Sequence, residues 1–271
     1  MKVFFSFLAG LFLFTGSLCA QQVANEVIIQ AKTETTNPNG DGNDVQISNE
    51  GGEQRVMMRM GEGEVKSKIF FKNGQTKIES DMGMGTNQVF IDSKTKTTTT
   101  LFEAMGRKMG FSSTEQDMQQ MMNNGRDSGR QQRVQQYNPE IFVEYLDESK
   151  QIAGMTCKKA LIRYMNRQNQ EVQQMVWYSP DFKMGDGFRM RDMMRMVNIP
   201  GLDKLKGFPM EFETTRQNGI KVHFTVTKVD LTAKIDDKTF VIPKDYEIRT
   251  MSEMRQQGGG RNGFQMRVEN N

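Results

Sequence analysis

Methionine is the residue type whose number and spacing most invite a chemical reading. The chain carries 23 of them, grouped at Met57-Met58-x-Met60, Met82-x-Met84, Met118-x-x-Met121-Met122 and Met190-x-x-Met193-Met194-x-Met196. Thioethers are soft ligands, so spaced methionines can hold Cu(I). They also absorb oxidant by conversion to sulfoxide. The competing reading is packing. Only six Leu follow residue 20, and Met fills a core in their place, being flexible and polarizable. Met is spread through almost every segment, and its helically spaced members fall on the stripe that must be buried. The packing reading is therefore preferred, with a copper-binding or oxidant-buffering protein as the alternative.

Other reactive side chains are few. Cys157 has Lys158 and Lys159 beside it, which would favour a thiolate. No further Cys follows residue 20 to resolve an oxidised form. Set among Met155, Ala160 and Ile162, it reads as a small buried apolar residue. His223 is the one imidazole, and reads as an exposed strand residue. The carboxylates have no diagnostic spacing. There is no nucleophile elbow, phosphate-binding glycine loop or calcium loop. No catalytic residue, cofactor or metal ligand is assigned, and a non-enzymatic protein is expected. A net charge of +3 over 271 residues gives no footprint for nucleic acid.

The elements that must position these residues come in order. Met1-Lys2, an apolar run to Leu18 and small Ala20 form a secretory signal over residues 1–20. Leu18 before Cys19 argues against a lipid-attachment site. Export gives a periplasmic or secreted protein, and no membrane span is expected in the mature chain. Residues 21–251 read as one β-rich domain, with Gly/Asn-rich loops near 37–64 and 123–139. Residues 252–271 read as a disordered tail.

Within the domain, apolar residues alternate. Asn73-Gly74 marks a two-residue hairpin turn that sets Phe71 opposite Thr76, Ile69 opposite Ile78 and Val65 opposite Met82. A second hairpin turns at Asp92-Ser93-Lys94-Thr95. A third, turning at Gln217-Asn218-Gly219, puts Phe212 opposite Phe224 and requires a left-handed Gly219. Further strands are expected at 141–146, 155–165 and 172–178. Ser112-x-x-Glu115 is a helix-capping pattern. Met190, Met193, Met194 and Val197 share one face of a second helix. Gly185-Asp186-Gly187 and Pro200-Gly201 flank it as hinges.

Several short motifs, in this order, resemble one family. They are Ile152-Ala153-Gly154-Met155-Thr156-Cys157-Lys158-Lys159, Val176-Trp177-Tyr178-Ser179-Pro180, Gly207-Phe208-Pro209-Met210 and Phe240-Val241-Ile242-Pro243-Lys244-Asp245-Tyr246. Val89-Phe90-Ile91-Asp92 with Lys94-Thr95 fits as well. Over roughly residues 65–247 the chain is similar to the secreted bacterial family catalogued as domain of unknown function 4412. The resemblance implies a mainly β (α+β) fold like that of the periplasmic lipoprotein carriers. That fold is a curved antiparallel sheet or half-open β-barrel over one or two helices, with an apolar hollow. It implies no catalytic residues.

The expected function is then to bind a lipid or acylated ligand in that hollow. Its lining would be Met190, Met193, Met194, Val197, Trp177, Phe212, Phe224 and Phe71, with the Met helix as a lid. The same residues would serve equally as a closed core. An envelope assembly or interaction factor is a further alternative.

Overall fold

A computed structural model describes residues 21–253, except 39–43, 51–52, 60–61, 83–84, 105, 118–138, 167, 191–198, 217–218 and 251–252. The expected signal at 1–20, the expected loop at 123–139 up to residue 138, and the tail beyond Glu253 lie outside the described residues.

The period-two patterns become one large sheet. A central strand β2 (Glu26–Thr36) joins two antiparallel meanders. On one side follow β5 (Gly63–Lys72), β6 (Gln75–Asp81), β7 (Thr86–Asp92), β8 (Thr97–Ala104) and β9 (Arg107–Thr114). On the other side, reading inward from the edge, lie β10 (Ile141–Ile152), β11 (Met155–Met165), β12 (Glu171–Ser179), β14 (Phe208–Thr215) and β15 (Lys221–Asp230). β16 (Glu247–Thr250) adds in parallel to β9 and completes a 12-stranded sheet that does not close. The mainly β, antiparallel architecture is the one expected. Short β1 (Gln22–Ala24) and β13 (Phe182–Met184) pair in parallel beside it.

The registers follow the hydrophobic pattern. Phe71 faces Thr76 and Ile69 faces Ile78 across Asn73 (φ 48°) and Gly74 (φ 86°). The ladder stops at Lys66 and Asp81, one pair short of Val65 and Met82. At the third hairpin Phe212 faces Phe224, and Gly219 is left-handed at φ 81°. A two-residue loop would have placed Phe212 against Thr225 and mixed the faces.

Two expectations are corrected. Residues 37–64 are not one long loop. They contain a hairpin, β3 (Asp44–Glu50) with β4 (Glu53–Arg59), in which Val45 faces Met58 and Ile47 faces Val56. That short alternation is hidden among Gly, Asn and Glu, whose composition suggested a loop. Ser112 does not cap a helix, because it lies in β9. The turn begins at Thr114, whose Oγ accepts from Asp117 N–H at 3.1 Å while Asp117 Oδ2 accepts from Thr114 N–H at 2.9 Å. Ladder pairing from β8 carries the strand two residues past the pattern the sequence suggested.

The core covers one sheet face. Ile29, Ile69, Phe71, Ile162, Val176, Met210, Phe212 and Val222 are buried there against Phe182 of β13, Leu202 from the connection to β14, and Phe208 at the start of β14. A short 3-10 turn, Leu202–Lys204, contributes Leu202. On the other face, Phe90 and Leu101 pack under Tyr246 and Ile242 of the C-terminal segment. Burying these apolar side chains supplies the main driving force for the fold.

Candidate functional site

The side chains proposed to line a hollow are placed in two separate environments. Phe71, Phe212 and Phe224 lie in the core, exposed by 0%, 2% and 5%. Phe212 and Phe224 stack with ring centroids 5.1 Å apart. Phe71 meets Phe188 edge-on at 5.4 Å. Met190 packs partly buried against the same core. Met193, Met194 and Val197 lie outside the described residues.

Trp177 belongs to the opposite face. Strand alternation puts it in one cross-strand row with Lys159, Glu211, Thr225 and Lys32, while its neighbours Val176 and Tyr178 point into the core. Lys150 and Lys159 stand over its ring at 4.5 and 5.5 Å. Each lysine holds a carboxylate, Glu211 at 2.7 Å and Glu148 at 2.8 Å. His223 continues the ladder: its Nδ1 lies 3.3 Å from Glu34 Oε2 and its Nε2 lies 3.8 Å from Glu211 Oε1. Lys32 then holds Glu34 at 2.8 Å and Glu64 at 3.2 Å. Those hydrogen bonds lower the Glu34 and Glu64 carboxyls and raise the Lys32 ammonium. The ladder is a mutually paired outer surface.

The thiol is inert for a physical reason. Cys157 is fully buried, burial pushes its pKa up to about 11, and its Sγ sits 3.5 Å from Met155 O. The Lys150 ammonium lowers the pKa, but burial outweighs that effect, and Lys158 is exposed. The hinge reading also fails. A Cβ on Gly187 would lie 2.8 Å from Gly74 Cα and 2.5 Å from Ser93 Oγ. A Cβ on Gly201 would lie 2.6 Å from Ile141 Cγ2. Both glycines sit in close-packed junctions. Among the described residues, no group of His, Cys, Asp and Glu is arranged to hold a metal ion. Apart from Met82 and Met190, the clustered methionines have their side chains outside the described residues.

One feature went unnoticed in the sequence. Three cross-strand rows run over β2, β5, β6 and β7 on the core side. The first is Val27, Phe71, Thr76, Ile91 and the second is Ile29, Ile69, Ile78, Val89. The third is Ala31, Ser67, Ser80, Asn87. The third row is made of short side chains, so the sheet surface drops beside the isoleucine row. A recess of about 760 Å³ is lined by these residues and by their strand neighbours, among them Lys32, Lys66, Lys68, Glu79 and Asp81, whose side chains alternate to the other face. Ser67 Oγ and Ser80 Oγ are 2.9 Å apart and hydrogen-bonded. Asn87 Oδ1 is buried and has no hydrogen-bond partner. The sequence signal was the coincidence of short residues at equal register depth, visible only once all pairings are known.

A protein-family model described as a domain of unknown function (DUF4412) matches residues 51–246. No curated protein matches the sequence. Among solved structures the chain is similar to PNGF-II, with 12% identity over 86% of this chain and 33% of that one, at a TM-score of 0.37. MucB is similar at 10% identity over 82% of this chain and 58% of that one, with a TM-score of 0.34. A Vibrio parahaemolyticus domain described as an outer membrane lipoprotein-sorting protein shares 8% identity over 81% of this chain and 91% of that one, with a TM-score of 0.21. This chain thus spans about a third of PNGF-II and 58% of MucB. All three TM-scores are low, so the architecture stands on this chain's own sheet.

Proposed function

The chain belongs to the DUF4412 family, and from that premise we propose that it is an exported, non-enzymatic cell-envelope protein that holds an amphiphilic small molecule in the recess over Ala31, Ser67, Ser80 and Asn87. The observation that carries this reading is the row of short side chains across four adjacent strands beside a space of about 760 Å³. Small-ligand sites commonly occupy roughly 300–1,000 Å³ and combine apolar walls with a few polar groups. Here Ala31 supplies apolar surface. Ser67, Ser80 and Asn87 supply the polar groups. An amphiphile suits this lining better than a bare acyl chain in a hollow of aromatic residues, since Phe71, Phe212 and Phe224 are already packed by protein. Binding is favoured over catalysis because the Ser67 and Ser80 hydroxyls bond each other. The signal pattern at residues 1–20 supports export. Among the described residues no helix is long and apolar enough to cross a membrane.

The test fills the recess. Displacement of a fluorescent amphiphile should show saturable binding to wild type. Ser67→Leu and Ala31→Leu should each weaken it about tenfold or more, the loss of roughly 1.4 kcal/mol of contact. Thermal unfolding of both variants is the control for folding. Undiminished binding by folded variants, or no binding by wild type, overturns the reading.

A further inference from the structure

We infer that the molecule held in the recess carries an N–H or O–H donor at the junction of its apolar and polar parts, and that Asn87 is the residue that recognises it. This rests on the binding reading above and adds the chemical class of the ligand.

Asn87 Oδ1 is buried without a hydrogen-bond partner. A buried acceptor left unmade is destabilising, and folded proteins retain few of them. One that lines a recess is explained when a ligand completes it. The neighbours across the sheet do not complete it internally. Ser80, opposite Asn87 on β6, is engaged with Ser67 at 2.9 Å. Phe102, opposite on β8, has no polar atom in its side chain. The terminal torsion of an asparagine is broad. Rotation about it re-aims the amide oxygen without a change of the first side-chain rotamer.

Charge is not what the recess selects. Lys32 is held by Glu34 and Glu64, and Lys66 lies 3.4 Å from Glu64. Glu79 is held by Lys77 at 2.8 Å. These charged side chains alternate away from the Ser67–Ser80–Asn87 row, so the unmet polar demand of that row is the amide oxygen. An oxygen acceptor discriminates by requiring a donor. A secondary amide or a hydroxyl supplies one, and an ester does not. The class implied is an N-acyl or hydroxylated amphiphile.

The experiment compares two probes of matched shape, N-methyldodecanamide and methyl dodecanoate, by calorimetry on the mature chain. Wild type should bind the amide about tenfold or more tightly than the ester, as expected for one buried hydrogen bond made or unmade. Asn87→Leu should abolish that preference. Asn87→Ala is the second variant without an acceptor, for the case that leucine prevents folding. Asn87→Asp retains acceptor oxygens and should keep the preference. Equal binding of both probes by wild type overturns the donor inference while leaving the recess reading intact. So does a preference that survives in both acceptor-free variants. Binding of neither probe sinks the recess reading and this inference with it.

Discussion

Replacing Gly187 by alanine distinguishes a hinge from a lock. Gly187 lies in the turn after β13, facing the Asn73-Gly74 turn and Ser93. Its φ of 86° is left-handed, which costs an alanine about 1 kcal/mol. The new Cβ would also lie 2.8 Å from Gly74 Cα and 2.5 Å from Ser93 Oγ. Ser93 Oγ can rotate away, but the Gly74 backbone is fixed by the hairpin on either side of it. Overpacking of this kind adds roughly 1–3 kcal/mol. Gly154 provides the control, because its φ is 78° and nothing lies within 4 Å of an added Cβ. Gly154→Ala should thus lose only the conformational part, about 1 kcal/mol. Urea unfolding of both variants, with unchanged slopes, measures the difference. Gly187→Ala should lose at least about 1 kcal/mol more, a further roughly 2–4 °C in Tm for a domain of this size. Equal losses in the two variants would refute the locked junction and restore the hinge.

Two further outcomes concern ionisation. Burial raises the Cys157 thiol from 9.0 to about 11. The raised value stabilises the folded protein fully below the unfolded pKa and is lost as pH rises through 11. At about 1.36 kcal/mol per pKa unit this amounts to about 3 kcal/mol. Iodoacetamide at pH 8 should leave the native thiol unmodified and label it in urea, and rapid native labelling would contradict the burial argument. The Glu34 and Glu64 carboxyls are lowered chiefly by hydrogen bonds from Lys32. Their contribution is present above the unfolded carboxylate range and disappears as pH falls through the folded values. Lys32→Met should therefore flatten the acid limb of the stability curve, and less so at high salt. An acid limb of unchanged steepness would show that the ladder does not act on folding.

The strands and their registers were legible because each is written locally. Asn73-Gly74 and Gly219 fix two turns through left-handed backbone, and the alternation beside them leaves one register that buries a single face. The placement of Trp177 was not legible. A large aromatic in an apolar strand reads as core, but period two assigns it to the face opposite Val176 and Tyr178, where lysine ammonium groups cover it. The glycines around residue 187 show the same limit. A Gly-Asp-Gly sequence has equal freedom whether solvent or another turn lies against it. The contacts with Gly74 and Ser93 come from distant strands. The recess was beyond reach for a related reason, since Ala31, Ser67, Ser80 and Asn87 are unremarkable singly and meet through three successive ladders.

An open sheet of this size must protect its edges, and the two ends do so differently. β16 is short, with its described side chains exposed, and lies parallel to β9. β10 is longer and divides at a bulge between Leu146 and Ser149. Glu148 in the bulge and Lys150 after it are tied to Lys159 and Glu211. Before it, Ile141, Val143 and Tyr145 lean on the core, and Phe142 on the reverse face is 55% exposed. A bulge and inward-tied charges discourage a neighbouring strand from pairing along the whole edge, so the sheet can remain open without propagating. Adding bulk at Ala31 or Ser67 would improve packing at the site where the binding reading requires space, and stability and binding are therefore expected to move in opposite directions there.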